Sequence, residues 1–283
     1  MKKYRVFFSL IFFAFALWGT PGMIAHAENG VAIDDNKDGT VKVTYSNSNS
    51  NKIAITVKKD GAKTQYNYFI TTGEVDTDIP LTAGNGTYKV SVLKNIEDSR
   101  YTPLSSEEVD LKLSDQKSAF LTSNQMINWN SKNKAVKKAN KLSRKYKSQY
   151  SKIKVIYKYI VTHYHYDYAK YYQNASGNLG YYTPDIDTIY SEKKGICYDI
   201  SALTACMMRS VGVQTKMVTG YPDTKYYDGT QYHAWNKVYA KKYKKWVVMD
   251  VTCDMCLYEQ GVKYNKLSMK KKASQYSKVK YVW

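Results

Sequence analysis

The sequence predicts an all-β, immunoglobulin-like sandwich domain over residues 28–113, followed by an α+β domain over residues 114–283 in which helices pack on an antiparallel sheet. Apolar residues alternate with a period of two in the first part and recur every three or four positions in much of the second. The charge changes at the same boundary: residues 28–113 carry 10 basic and 13 acidic groups, and residues 114–283 carry 30 and 11. A hydrophobic share of 43% excludes a wholly disordered chain.

Residues 1–27 have the form of a signal peptide. Three basic residues near the start precede an apolar run over Val6–Trp18, and the segment ends in Ala25-His26-Ala27, a small-x-small cleavage pattern. The apolar run is 13 residues long, shorter than the roughly 20 residues that a membrane-spanning helix needs. We therefore expect a secreted, extracellular protein associated with the cell wall, and no integral membrane protein once the leader is removed.

The β prediction for the first part comes from short alternating runs separated by turn residues. Such runs lie at Thr40–Tyr45, Ile53–Val57 and Thr87–Val92, and Asp60-Gly61 and Asn85-Gly86 are typical of the turns between strands. Six or seven strands within about 85 residues are typical of a sandwich of two sheets.

The second part begins with two predicted amphipathic helices, over residues 135–146 and 153–164. Between Gln116 and Tyr166 there are 12 Lys or Arg residues and no acidic residue. A solvated helix face explains part of this charge, and attraction to an anionic cell-wall polymer is the other interpretation. Nucleic acid is a poor candidate, because export is expected and none of the usual binding motifs is present.

Cys197 is the candidate nucleophile. An apolar stripe between Ile200 and Val211 predicts a helix that begins at or next to Cys197 and ends before Gly212. The free amides and the dipole at a helix N-terminus favour the thiolate, which is the nucleophilic form. We expect Gly195 to allow a tight backbone entry and to leave room for a substrate chain.

His233 and Asp250 are the candidate base and the residue that orients it. Two predicted strands, Tyr232–Tyr239 and Trp246–Thr252, are joined by a lysine-rich hairpin connection. If paired residue numbers sum to 483, His233 lies opposite Asp250. If they sum to 485, the two are diagonal neighbours at roughly 7–8 Å on one face. Either register brings an imidazole near a carboxylate, as nucleophilic catalysis by Cys197 requires.

Together these motifs resemble the transglutaminase-like superfamily over roughly residues 133–254. The matching segments, in chain order, are Gly195-Ile196-Cys197, Val211-Gly212-Val213, Val218-Thr219-Gly220-Tyr221, His233-Ala234-Trp235-Asn236-Lys237-Val238-Tyr239, Trp246, Asp250-Val251-Thr252 and Asp254. The resemblance implies a papain-like α+β core in which Cys197, His233 and Asp250 form a catalytic triad that attacks an amide and forms a thioester. One departure is Cys253, at a position where family members often carry an aromatic residue.

Stabilisation of the oxyanion requires two hydrogen-bond donors. The backbone amide of Cys197 is the obvious first donor, and the Tyr166 side chain is a candidate for the second.

We expect neither a cofactor nor a metal. The run Asp34–Gly39 matches the opening of a calcium loop, but Tyr45 stands where an EF-hand needs Glu, which favours an ordinary turn. His163 and His165 face apart on a predicted helix, which argues against a shared metal.

Cys253 and Cys256 form a C-x-x-C pair. Three states of this pair stay open: a local disulfide, two free thiols, and metal binding. Cys206 lies on the opposite side of its helix from Cys197 and is expected in the core.

Two functions follow from the sequence. The first is an exported cysteine acyl-transfer enzyme acting on peptide, isopeptide or glutamine-type amides of a protein or peptide substrate, with hydrolysis favoured over cross-linking because no acyl-acceptor site is recognisable. The alternative is a non-catalytic cell-surface or wall-binding module that uses the transglutaminase-like core as a scaffold. Retention of Cys197, His233 and Asp250 favours the enzyme.

Overall fold

A computed structural model describes residues 30–46, 51–71 and 73–283. The expected signal peptide at 1–27 lies outside the described residues. No helix within the described ranges is both long enough and apolar enough to cross a bilayer.

The first part of the chain forms two antiparallel sheets. The strands are β1 Val31–Asp35, β2 Thr40–Tyr45, β3 Ile53–Lys59, β4 Gln65–Ile70, β5 Val75–Pro80, β6 Gly86–Glu97 and β7 Arg100–Leu111. One sheet has the order β1-β2-β5 and the other β4-β3-β6-β7. Alternate residues of these strands are buried, as the period of two predicts, and they form an apolar core between the sheets.

The second part mixes helices with an antiparallel sheet, as expected for an α+β protein. Its helices are α1 Lys134–Ser143, α2 Gln149–His163, α3 Tyr168–Ala175, α4 Ile186–Glu192, α5 Cys197–Arg209 and α6 Val251–Glu259. Its strands are β8 His165–Tyr166, β9 Lys194–Gly195, β10 Thr215–Gly220, β11 His233–Ala240, β12 Lys245–Met249 and β13 Val279–Val282. The main sheet has the order β12-β11-β10-β13, and β8 pairs with β9 in parallel.

Helix α5 is the centre of this part. Nearly all of its residues are buried, and it contacts α1, α2 and α4 as well as β10 and β11. The apolar residues of α5 favour this enclosure, because exposed apolar area costs about 25 cal/mol per Å², and its buried polar residues have partners within the protein, such as Asp199 with Lys170. Its first residue, Cys197, therefore has a fixed position relative to the sheet.

The hairpin β11–β12 has the second of the two expected registers. Asn236 pairs with Met249 and Ala240 with Lys245, so paired numbers sum to 485. The expected strand Trp246–Thr252 is too long: β12 ends at Met249, because the Asp250 side chain accepts a hydrogen bond from the Cys253 amide and caps α6.

The lysine-rich end of the chain packs against both parts of the protein. β13 pairs with β10, and the Thr82 hydroxyl donates to the carbonyl of Val282 at 2.6 Å. The Val282 amide donates to the Tyr66 hydroxyl at 3.3 Å. The boundary expected between residues 113 and 114 stays a prediction.

Candidate active site

His233 and Asp250 meet at one end of the main sheet. His233 is the first residue of β11, and Asp250 follows the last residue of β12. The His233 Nε2 atom lies 2.9 Å from Asp250 Oδ2, and both side chains are buried. The sequence predicted this proximity, which arises from a diagonal register and a helix cap rather than from two extended strands.

Asp250 is held at both oxygens. Its Oδ1 accepts from the Cys253 amide at 3.0 Å, and its Oδ2 also accepts from the Tyr276 hydroxyl at 2.8 Å. Burial alone raises the pKa of Asp250, but the charge and hydrogen bond of His233, with the Cys253 and Tyr276 hydrogen bonds, outweigh burial and lower it. The carboxylate therefore stays ionised and fixes the imidazole.

Cys197 is the first residue of α5, after Ile196 at the N-cap position. Cys197 is half-buried. Asp199 Oδ2 accepts from the Ile196 amide at 3.0 Å, and the Lys170 ammonium pairs with Asp199 at 2.8 Å. The start of α5 is thus fixed by a partly buried ion pair, and the helix dipole favours negative charge at the sulfur.

Cys197 lies close enough to His233 for its charge to act on the imidazole. Burial lowers the pKa of His233, but the negative charges of Asp250 and Cys197, together with the hydrogen bond that Asp250 accepts, outweigh burial and raise it to about 10. Because Nε2 faces Asp250, the other ring nitrogen is available to the thiol. The arrangement can hold an imidazolium between two anions, or pass a proton between sulfur and ring.

Gly195 does not leave space for a substrate. A β-carbon at this position would lie 2.6 Å from the β-carbon of Asp199. The close approach therefore serves the Asp199 side chain, which caps α5. The expectation that a substrate chain occupies this space is wrong for that reason.

Tyr166 lies beside Cys197, since Tyr166 in β8 pairs with Gly195 in β9, two residues before the thiol. Burial raises the pKa of Tyr166, and the Cys197 charge adds to the rise, so its hydroxyl stays protonated. This position is compatible with a donor, and the oxyanion role stays a prediction.

Two further tyrosines contact the site, and the sequence interpretation missed both. Tyr276, which bonds to Asp250, is 26 residues further along the chain. Tyr227 stacks on the His233 imidazole, with ring centroids 4.3 Å apart and planes inclined by 30°. Neither residue lies in a local pattern that points to His233 or Asp250, so spacing alone could not find them.

The other cysteines are free thiols. Cys206 is fully buried, as expected, and burial raises its pKa to about 12. Cys253 is buried and Cys256 half-buried, and burial raises the pKa of each to about 12. Of the three states left open for the C-x-x-C pair, the structure has two free thiols. The described part of the chain contains no group of three or more metal-ligating side chains.

Residues 136–251 match the model of the Transglutaminase-like superfamily. The matched segment contains Cys197, His233 and Asp250. The comparison with curated proteins gave no significant match.

Three solved structures show a weaker similarity. A candidate cysteine protease from Cytophaga hutchinsonii is 18% identical with a TM-score of 0.40, over 71% of this chain and 66% of that one. A candidate protease from Parabacteroides distasonis is 13% identical (TM-score 0.32, over 69% and 37%). Red sea bream transglutaminase is 10% identical (TM-score 0.29, over 76% and 48%). The chain thus spans 37% to 66% of the length of these structures.

The family similarity thus covers residues 136–251, less than half of the chain, and this segment resembles the transglutaminase-like superfamily.

Proposed function

We propose that the chain is an exported cysteine acyl-transfer enzyme that acts on peptide, isopeptide or glutamine-type amides of proteins or peptides. The observation that carries the proposal is the buried His233, whose Nε2 atom lies 2.9 Å from Asp250 and whose pKa is raised by the neighbouring Asp250 and Cys197. Cys197 is the nucleophile, His233 the base and acid, and Asp250 the residue that orients the ring.

The reaction balances with these three residues alone. The Cys197 thiolate forms a bond to the amide carbon, and the C–N bond breaks as the imidazolium of His233 gives its proton to the leaving amine. Water then attacks the thioester, His233 accepts a proton, and the acid leaves as the thiolate is restored. A primary amine in place of water gives a new amide. We assign stabilisation of the substrate oxyanion to hydrogen bonds from the Cys197 amide and the Tyr166 hydroxyl.

Brief alkylation tests the nucleophile. The purified protein is treated with a low dose of iodoacetamide, and the four cysteines are quantified by mass spectrometry. We expect Cys197 to react fastest, and to slow by about 10²-fold or more in His233→Ala, since a positioned acid or base contributes about 10²–10⁴-fold. Cys256, also half-buried, is the internal control. Labelling of Cys197 no faster than a free peptide thiol contradicts the proposal.

Hydrolysis and cross-linking are separated by parallel assays on one substrate. An unfolded glutamine-containing protein is incubated with a fluorescent primary amine, and cleavage, ammonia release and amine incorporation are measured together. We expect cleavage or ammonia release to exceed incorporation. If amine incorporation exceeds cleavage and ammonia release at millimolar amine, cross-linking is the main reaction and the expected preference for hydrolysis is wrong. Cys197→Ala is the control and should form none of the three products.

We also propose the finer points on fold and location. The seven strands of β1–β7 in two sheets support an immunoglobulin-like sandwich for the first part of the chain. The leader pattern of residues 1–27 supports export, with a secreted or wall-associated mature protein. Amino-terminal sequencing of the exported protein tests this, and we expect Glu28 as the first residue.

A second candidate function is binding to an anionic cell-wall polymer. An open groove of about 570 Å³ between α1 and α2 is lined by Lys141, Arg144 and Lys152. No acidic residue lines this groove, which supports attraction of phosphate or carboxylate groups. The binding-module alternative requires this surface and does not require a reactive thiol.

Salt dependence tests the polymer proposal. We expect retention on anionic walls to fall between low and high salt, because exposed charges are screened within about 8 Å at physiological ionic strength. Replacing the three groove cations by Gln should weaken retention more than the same change at Lys242, Lys244 and Lys245. If retention on anionic walls is the same at low and high salt, the contact is not electrostatic and the polymer proposal is wrong.

A further inference from the structure

A cavity of about 340 Å³ lies between the two parts of the chain. It is lined by the loop 81–84 after β5, by residues of the connection 111–120, and by Lys216 and Trp246 of the main sheet. Along β10, Lys216 lies towards the end opposite Gly220, the residue that pairs with His233. The cavity is therefore separate from the candidate active site, and its volume is within the range of small-molecule sites.

The walls of the cavity are mostly apolar. Leu81, Leu111 and Phe120 line it and are almost fully buried in the fold. The Trp246 ring packs edge-on against Phe120, with ring centroids 5.3 Å apart. The Lys216 ammonium lies over both rings, 4.5 Å from the centre of Phe120 and 4.3 Å from that of Trp246. Because a cation is attracted to aromatic faces, these two rings fix the position of the amine at the cavity wall.

The Lys216 ammonium has no acidic partner within the part of the chain that the structure describes. Its cross-strand neighbour on β11 is a second half-buried lysine, Lys237, on the same face of the sheet. Burial and the Lys237 charge lower the pKa of Lys216 to about 8, and burial also lowers the pKa of Lys237. Like charges at facing positions of a sheet are destabilising. An anion at this position would offset that cost.

The other charged groups of the cavity do not supply this anion. Asp115 is the one acidic residue in the segments that form the cavity, and it pairs with the ammonium of Lys117. The same ammonium lies 5.3 Å from the centre of the Tyr239 ring. Lys59 donates to a carbonyl of the loop 81–84 at 3.1 Å. The cavity thus combines apolar walls with an excess of positive charge, which attracts an anion from solution.

We propose that this cavity binds a small organic carboxylate with an aromatic or branched apolar body. The carboxylate pairs with Lys216, and the body covers Leu81, Leu111 and the Trp246 ring. An inorganic anion would pair with the amine but leave the apolar walls uncovered, and an uncharged hydrocarbon would leave the amine without a partner. No residue of the candidate triad takes part, so the inference does not rest on the proposed function.

Isothermal titration calorimetry of the full chain at pH 7 tests the site, with benzoate as the probe. We expect saturable binding of benzoate that exceeds the binding of benzamide, its uncharged counterpart, and of inorganic phosphate. Lys216→Met keeps the apolar stem and removes the charge. It should weaken benzoate binding by about 10-fold or more, as loss of a charged hydrogen-bond partner does. Lys242→Met, at an exposed lysine of the hairpin connection, is the matched control and should bind like the parent.

Proton uptake provides a measurement that does not depend on how a variant folds. The pKa of Lys216 is about 8 without a ligand, so much of the amine is neutral at pH 8.5. A carboxylate that pairs with the ammonium raises this pKa, and the complex must therefore take up protons at pH 8.5. Titrations in two buffers of different ionisation enthalpy measure the uptake. We expect uptake in the parent and in Lys242→Met, and none in Lys216→Met.

Four results would overturn the inference. The first is that the parent binds no benzoate at millimolar concentration. The second is that Lys216→Met, shown to be folded by circular dichroism, binds benzoate as tightly as the parent does. The third is that benzamide or phosphate binds as tightly as benzoate, since the site would then recognise only the apolar body or only the charge. The fourth is benzoate binding by the parent at pH 8.5 without proton uptake.

Discussion

The two parts of the chain bury different chemistry. Within the described residues, the first part buries Thr40 and Ser105 as its polar side chains and no charged one. The second part buries five acidic or basic residues: Asp199, Arg209, His233, Asp250 and Asp254. Burial of a charge is costly unless it is paired. The first part is therefore stabilised by apolar packing, and the second accepts buried ions that position chemical groups.

The buried ions of the second part differ in what they can do. Asp254 pairs with Lys271 at 2.5 Å and accepts from the Tyr157 hydroxyl at 2.9 Å, a contact that ties the carboxyl-terminal segment to α6. Asp199 caps α5 and pairs with Lys170. Among these groups, the His233–Asp250 pair contains the imidazole that contacts a thiol, which separates the candidate active site from ion pairs of purely structural use.

The largest expected effect is a pH-dependent loss of stability in His233→Gln. Removing one partner of a buried ion pair costs about 3–5 kcal/mol. The folded-state pKa of His233 is raised to about 10, above about 6.5 in the unfolded chain. Its stabilisation is therefore complete below about pH 6.5 and is lost as pH rises through about 10.

Urea unfolding of the parent and His233→Gln at pH 6, 8 and 10.5 checks this prediction. The difference between their free energies of unfolding should shrink as pH rises. His163→Gln, which changes an exposed histidine, is the control and should show no such trend. A difference that is constant from pH 6 to 10.5 contradicts an ionised His233.

Ile55→Ala provides the contrasting result in the first part. Ile55 is fully buried, and truncation of a buried isoleucine costs about 2–5 kcal/mol through lost burial and the cavity that remains. We expect a free-energy loss of this size that is the same at pH 6 and pH 8, because burial raises the pKa of Tyr68, the cross-strand partner of Ile55, and keeps its hydroxyl neutral at both pH values. Ile96→Ala, at a position 59% exposed, should cost far less. A strong pH dependence for Ile55→Ala would break the distinction between the two parts.

The smallest expected effect is that of Tyr276→Phe. The substitution removes the hydroxyl that donates to Asp250, and a hydrogen bond to a charged group contributes about 1.5–3 kcal/mol. The ring contact with Trp235, at 5.3 Å between centroids, is kept. We expect a loss in this range, with slower Cys197 alkylation at acid pH, because the pKa of Asp250 rises when a donor is lost. If the pH dependence of Cys197 alkylation is the same in Tyr276→Phe and in the parent, the Tyr276 hydroxyl does not influence the site and the residue contributes only to packing.

Local patterns predicted the parts of the site that are determined locally. The apolar stripe between Ile200 and Val211 correctly predicted a helix beginning at Cys197, since a buried helix must present apolar residues at helical spacing. The lysine-rich connection predicted the β11–β12 hairpin and allowed two registers, and the structure has the register in which paired numbers sum to 485. The prediction that this strand extends to Thr252 was wrong, because the hydrogen bond that the Cys253 amide donates to Asp250 starts a helix in place of further strand.

Contacts between distant parts of the chain could not be predicted from one sequence. Tyr276 lies in a lysine-rich segment whose composition is equally compatible with a packed or an unpacked tail, and backbone hydrogen bonds from this segment to β12 and to the β10–β11 loop bring it to Asp250. The abundance of tyrosine, 29 residues, does not indicate where in the fold these side chains gather.

The Asp250 side chain links the sheet to a helix, since one oxygen bonds to His233 at the start of β11 and the other caps α6 through the Cys253 amide. A substitution at Asp250 therefore disturbs the start of that helix and the orientation of the imidazole at the same time. An activity loss in such a variant has to be read together with its stability.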